Sequence, residues 1–393
     1  MRRASRSLPA DEQAAPDLPV SRYARWQHQF HLLRYPVALG FCVTIATFVF
    51  GACATLAFEK NVPGESWLQA WNRWDAAWFL ELAQNGYPST TGAHEHLIVL
   101  LPAYPAAIEL AHFLIPDWHT AALLVSNVCF LGALACLFLL ARLEGDTSVA
   151  RRAVLFCAVF PTAFFLHAAY SESLFLLLTV AAFHFARRDE WAKSGVLGLL
   201  ATATRLPGAA IFPALVLEYA HQRNFRLRSV RWNAAFLALI PLGTAAFLWI
   251  NYHYFGDPLH FLAAQKQVWG AYLRSPFPAV RDNWYGIHHA PADERLLQYG
   301  GPLVAFLVLT IATVAAPFSL RPCYAIYLVA SWVMIFCNSF PISSPRYLAV
   351  VFPLFLLLAR ATRRPWLRDG VAFISALFYA VCTMHFVRGW WAF

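Results

Sequence analysis

An all-α polytopic membrane protein is the fold class this sequence predicts, and three observations predict it. Apolar residues make up 60% of the 393-residue chain and charged residues 13%, with a mean hydropathy of +0.51. Soluble domains carry about a quarter charged residues. Apolar runs of membrane length recur from Tyr35 to the last residues. The basic residues are also unevenly spread: 21 of the 30 Lys and Arg fall on alternate connections, the pattern of cytoplasmic loops. The net charge of +9 is therefore a topology signal, and no nucleic-acid signature accompanies it.

In order along the chain, residues 1–34 are rich in Pro, Ala, Ser and charge and are expected to form a disordered cytoplasmic tail. Residues 35–393 are expected to form a single domain. No cleavable signal peptide is read; Tyr35–Phe58 is long enough to stay as the first span. An outer loop follows at about 59–118. Within it, Trp67, Trp71, Trp74 and Trp78 recur at helical spacing, which predicts a helix lying at the membrane–water boundary. Leu97–Ile115 is membrane-length, yet counting it as a span would place Arg151 and Arg152 outside. It holds Pro102, Pro105, Glu109 and His112, and is predicted to be a second interfacial helix.

Ser194–Ala220 has basic loops on both sides, so it must enter and leave. Gly195–Arg205 and Leu206–Ala220 would be helices of about 17 and 22 Å, short of a hydrocarbon core of about 30 Å. Leu206-Pro207-Gly208 would be the hairpin, tolerated where it lines a water-filled cavity. The resulting count is about eleven segments, starting near Tyr35, His119, Ala153, Tyr170, Gly195, Leu206, Trp232, Pro302, Cys323, Pro345 and Gly370. The N-terminus is then cytoplasmic and the C-terminus outside. A second outer loop lies at about 252–301.

The eight cysteines all sit in apolar segments without a CxxC pair and read as small buried hydrophobes. His94-Glu95-His96 and His288-His289 lie on loops without further ligands, and no paired-carboxylate motif surrounds Asp75. Neither a metal nor a cofactor is expected.

Five ionisable residues map to the outer ends of different segments: Asp75, Glu172, Arg205, Asp257 and Arg346. Four of them have an ordinary structural reading. Asp75 would be solvated on a wet face, and Glu172 would favour a helix dipole. Arg205 would pair with Glu172 or cap carbonyls, and Arg346 would anchor at the interface. An arginine below the membrane surface nevertheless costs at least about 2.5–3.5 kcal/mol unless it faces water or an anion. Together the five suit glycosyl transfer at a membrane surface. The chain has no strand–GxGxxG–helix unit for a nucleotide, which leaves a polyprenyl-phosphate sugar as the expected donor. Arg205 and Arg346 would stabilise its phosphate, and Asp75 would take the proton of an acceptor hydroxyl. Trp74, Trp78 and Tyr87 would shape the sugar site, though aromatic anchoring at the interface is their commoner use.

Arg73-Trp74-Asp75, Trp78-Phe79-Leu80, Ala83 and Gly86-Tyr87 resemble the WDxx(H/W)(F/Y)LxIAxxGY signature of the GPI mannosyltransferase 2 family and its bacterial relatives. Further matches follow in order: Tyr170-Ser171-Glu172-Ser173, Ala201-Thr202-Ala203-Thr204-Arg205, Gly256-Asp257-Pro258-Leu259 and Arg346-Tyr347-Leu348 before Phe352-Pro353-Leu354. The resemblance implies a GT-C fold and an inverting single displacement. It adds Arg73 and Tyr347 to Trp74, Trp78, Tyr87, Glu172 and Asp257 as expected substrate-binding residues, with mannose as the default sugar. It also implies the outer face of a bacterial inner membrane and a lipid or glycan acceptor. Two departures bear on that acceptor. Trp78 stands where the eukaryotic form has histidine, and Leu100-Leu101-Pro102-Ala103-Tyr104-Pro105 stands where relatives tend to carry FFPxxP; both argue against a GPI precursor. A transporter or lipid-flipping protein, or a non-catalytic membrane partner, would share the span count. The transporter reading would place charges near the bilayer midplane, whereas here they gather at the outer rim.

Overall fold

The computed structural model describes residues 22–57, 67–88, 92 and 94–393. It is helical throughout, and among the described residues the only β pairing is an isolated bridge between Leu273 and Asn338. The helices are α1 (Arg22–Ala57), α2 (Asp75–Asn85), α3 (Ala103–His112), α4 (Trp118–Glu144), α5 (Thr147–Ala158), α6 (Glu172–Arg187), α7 (Trp191–Thr202), α8 (Ile211–Gln222) and α9 (Ile240–Phe255). After these come α10 (His260–Trp269), α11 (Pro276–His289), α12 (Ala292–Glu294), α13 (Gly301–Ser319), α14 (Pro322–Phe336), α15 (Ser344–Leu348), α16 (Pro353–Ala361) and α17 (Pro365–Val387).

Long helices form the perimeter and short ones the centre. α1, α13 and α17 leave large apolar side chains outside, among them Ile45, Val49, Ile311, Val314, Phe373 and Leu377. A helix apolar on its outer face suits lipid. α6 lies at the centre, with Phe175, Leu176, Val180, Ala182, Phe183 and Ala186 fully buried. It packs against α4, α7 and α8. α4 starts where Asp117 accepts the backbone N–H of Thr120 at 2.7 Å, and α5 where Asp146 accepts that of Val149 at 2.8 Å. Each cap satisfies an N–H that the first turn leaves open.

Five helical stretches are long and apolar enough to cross a membrane: Leu32–Ala57, Trp118–Glu144, Trp232–Phe255, Arg295–Ser319 and Pro365–Val387. A sixth would join Pro341–Leu348 to Pro353–Ala361 across a bend of 64°. All eleven expected segments are occupied by helices, but the rest are too short or too broken to count as spans by length. The segment expected near Ala153 shows why: α5 ends at Ala158, and Pro161 begins an irregular stretch with a 3-10 turn at Ala163–Leu166. The hairpin expected at 194–220 is present as α7, a 3-10 turn at Leu206–Ala210 and α8. Gly243 of α9 lets it close on α7, since a Cβ there would lie 2.1 Å from the carbonyl oxygen of Leu199.

Two local expectations are corrected. α1 begins at Arg22, so the helix starts well before the boundary expected at residue 34; residues 1–21 of that tail lie outside those described. The tryptophan-rich stretch is not one interfacial helix. It divides into a 3-10 turn at Gln69–Trp71 and then α2, because Trp74 has a positive φ of 55° that helical geometry does not allow. Trp71 is fully buried rather than at an interface. Leu97–Ile115 likewise divides at Pro102 into a 3-10 turn (Glu95–Val99) and α3.

Candidate functional site

The break before α2 places Asp75 at the first position of that helix, the residue whose side chain stands clear of its own turn. The carboxylate oxygen Oδ2 of Asp75 accepts from Arg346 Nη1 at 2.7 Å. Arg346 Nε lies 2.7 Å from Glu172 Oε1, and Arg205 Nη1 lies 2.7 Å from that same oxygen. Four residues from four separate elements thus form an alternating chain: Asp75, Arg346, Glu172, Arg205. Arg205 sits at the tip of the α7–α8 hairpin in an extended conformation. Glu172 opens α6 and Arg346 lies in α15.

The cluster is inside the protein. Glu172 is completely buried, the side chains of Arg205 and Arg346 are 10% and 9% exposed, and that of Asp75 is 26% exposed. Asp75 is therefore the most exposed member of the cluster. Aromatic rings line the guanidinium groups: Arg346 lies 5.0 Å from the Tyr170 ring centroid and 5.4 Å from that of Tyr347, and Arg205 lies 5.3 Å from Tyr347. Such rings favour a cation from their faces.

The contacts to Glu172 are close without being aligned as hydrogen bonds. Among the described residues, both of its oxygens, together with Arg205 Nε and Arg346 Nε, have no aligned hydrogen bond. Arg205 donates its one aligned bond to Ser171 Oγ at 2.9 Å. Buried polar atoms are almost always hydrogen-bonded, and these four depart from that rule within one ion-paired cluster.

Of the remaining expected residues, Tyr347 joins the cluster through its ring. Arg73 frames it through its backbone, its carbonyl accepting the Tyr170 hydroxyl at 2.9 Å; its guanidinium instead reaches the Val387 carbonyl at 3.4 Å. Trp74 packs edge-on against Trp391 at 5.1 Å. Trp78 packs against His96 and Trp269, with ring centroids at 4.8 and 5.4 Å. Tyr87 donates to the Leu100 carbonyl at 2.7 Å. Burial pushes its phenol up, so it serves there as a neutral hydroxyl. Asp257 does not reach the cluster: it accepts the Leu259 N–H at 2.9 Å and starts the turn into α10.

Glu95 of the His94-Glu95-His96 stretch pairs with His260 at 2.8 Å. Among the described residues no group of three metal-ligating side chains forms. Sequence reasoning did not single out Tyr170, although it opens the Tyr-Ser-Glu-Ser run, or Phe165, whose ring centroid lies 5.3 Å from the Arg346 guanidinium. Trp391, some 300 residues beyond α2, carried no signal at all.

Comparison with known proteins gives the chain's relatives. Residues 51–208 match the family described as mannosyltransferase (PIG-V), a window that includes Asp75, Glu172 and Arg205. Over 159 residues the chain is 34% identical to GPI alpha-1,6-mannosyltransferase 2 of Cricetulus griseus, covering 37% of this chain and 30% of that protein. The same protein from Mus musculus is 32% identical over 158 residues, with the same coverage. The matched region thus spans about a third of those relatives. The fold is similar to that of ArnT from Cupriavidus metallidurans, solved bound to undecaprenyl phosphate. That likeness has a TM-score of 0.52 at 15% identity and covers 88% of this chain and 63% of the other. The likeness to mannosyltransferases read from the sequence holds across residues 51–208, and the likeness of fold to ArnT extends over 88% of the chain.

Proposed function

We propose that this chain is an integral-membrane glycosyltransferase, of mannosyltransferase type, moving a sugar from a polyprenyl-phosphate donor to an acceptor hydroxyl on the outer face. The observation that carries it is the Asp75–Arg346–Glu172–Arg205 chain: a partly exposed carboxylate held beside two buried guanidinium groups. The acceptor oxygen attacks the anomeric carbon and its proton passes to Asp75. The bond from that carbon to the phosphate oxygen breaks, and the electron pair leaves with the polyprenyl phosphate. Attack from the side opposite the leaving group inverts the anomeric centre.

Each residue has a defined part. Arg346 occupies only Oδ2 of Asp75, which leaves the other oxygen to meet the hydroxyl. Arg205 and Arg346 neutralise charge as it builds on the leaving phosphate, and planar guanidinium groups match phosphate oxygens in pairs. Glu172 touches both arginines and holds them side by side before the donor arrives, so that reorganisation is small. Asp75 and Glu172 match the two guanidinium groups one-to-one, which keeps two buried cations tolerable.

The expected topology fits this reaction. Basic-residue parity puts the cluster at the outer end of the bundle, with the N-terminus cytoplasmic and the C-terminus outside, across eleven segments in one domain. The plasma membrane of a bacterium supplies such a donor. The experiment is transfer by the purified protein from mannosyl-phosphoryl polyprenol, with the product identified by mass spectrometry. A protein that instead moves lipid between leaflets without consuming donor is the transporter reading, and would sink this one.

A further inference from the structure

A second set of buried charges lies at the opposite end of α6, about 22 Å from Glu172 at 1.5 Å per residue. There Arg187 pairs with Glu144, and Glu218 lies 3.3 Å from Arg187 and 2.9 Å from Arg321. Beside it runs a groove of about 1170 Å³ between the C-terminal halves of α13 and α16 and the first turns of α5. Its walls are apolar, formed by Val308, Ile311, Ala315, Leu354 and Leu357, and its head carries Arg152, Arg360 and Arg363. Ile311 and Phe318 on its outer wall are 59% and 87% exposed, so it opens sideways to the surface that faces lipid.

The chemistry at the head favours an anion. The two carboxylates there are already engaged: Glu144 with Arg187, with the Tyr324 hydroxyl at 2.8 Å and, more loosely, with Arg360 at 3.8 Å, and Asp146 in capping α5. Arg152 donates to the Ala359 carbonyl at 2.8 Å and to Ser148, and Arg360 to the Glu144 carbonyl at 2.7 Å. A guanidinium has five N–H donors, so each keeps several free. Arg363 is exposed and makes no hydrogen bond or ion pair among the described residues. An apolar trough of this size at membrane depth does not hold water; acyl chains are the apolar material available to fill it.

We propose that this groove is a binding site for an anionic diacyl phospholipid of the cytoplasmic leaflet. The phosphate would lie among Arg152, Arg360 and Arg363, and one or both acyl chains along α13 and α16. Bulk anionic phospholipid is the occupant because the charge pattern places this end in the leaflet where such lipids concentrate, and basic pockets between helices there hold their head groups. The site is separate from the transfer cluster, and its test does not depend on the transfer reaction.

The test is lipid titration of the purified full-length protein in neutral detergent, followed by native mass spectrometry. Phosphatidylglycerol and phosphatidylcholine with identical chains are compared. Wild type should bind the anionic lipid on the order of tenfold more tightly. Arg363→Ala, at an exposed position that leaves folding intact, should reduce that preference about fivefold, the worth of one basic residue near a lipid surface. Ala315→Trp should fill the trough and lower binding of both lipids. Equal affinity for the two lipids, or unchanged binding in both variants, overturns the proposal. So does displacement of phosphatidylglycerol from the groove by undecaprenyl phosphate at matched concentration, since the site would then belong to the polyprenyl lipid.

Discussion

Replacing Asp75 by Asn separates its charge from its shape, and the structure sets the expected size of each effect. The substitution removes the charge that Arg346 meets at 2.7 Å. Arg346 is not stranded, because Glu172 lies 2.7 Å from its Nε. The stability cost is then about that of one charge-assisted hydrogen bond, 1.5–3 kcal/mol at most, and less here because the Asp75 side chain is 26% exposed. Donor binding should hold or tighten, since a competitor for the guanidinium has been weakened. Transfer, by contrast, loses its base, which typically costs about 10²–10⁴ in rate. The assay pairs turnover from mannosyl-phosphoryl polyprenol with equilibrium binding of the same donor. Near-wild-type turnover would remove Asp75 from the chemistry. Loss of both turnover and binding in a folded variant would recast it as a residue that holds the sugar or the fold.

Arg205→Ala should weaken donor-lipid binding while the protein still inserts, and Arg205→Lys should restore only part of it, because a point charge lacks the planar fork; equal binding by all three proteins would refute the phosphate role. Glu172→Gln leaves two buried guanidinium groups with one carboxylate between them and should cost about 3–5 kcal/mol of stability. Added polyprenyl phosphate should then raise the melting temperature of the variant more than that of wild type, and an equal rise in both would argue against an anion site. Gly243→Ala drives a methyl group into the Leu199 carbonyl and Thr202; it should lower stability by about 1–3 kcal/mol and slow transfer by shifting Arg205, which a thermal melt and a turnover assay would read together. Single cysteines at Ser5 and Trp390, in a background lacking the native eight, should label from opposite sides of the membrane, and labelling of both from one side would end the eleven-segment topology.

What the sequence determined by itself follows from solvent and local backbone chemistry. Apolar runs marked where helices would form, and basic loops gave each connection an expected side. Pro102 and the Leu206-Pro207-Gly208 run marked where helices had to break. Asp75, Glu172, Arg205 and Arg346 were legible as a set because charged residues at membrane depth are expensive and each lay at a helix end. Other features had no local signal. The split of the tryptophan-rich stretch depends on Trp74 at positive φ, a conformation held by packing against Trp391 and by the Tyr170–Arg73 bond rather than by spacing. Asp257 read like its fellows, yet its own turn satisfies it before it can reach the site. Span lengths, too, were settled by tertiary structure, because the central helices are shielded by α1, α13 and α17 and need not cross the membrane unbroken. Above all, only the folded chain could show that one guanidinium touches both carboxylates, since Asp75 and Arg346 are 271 positions apart. Ion pairing across that distance depends on how the helices stack, and no periodicity in the sequence encodes it.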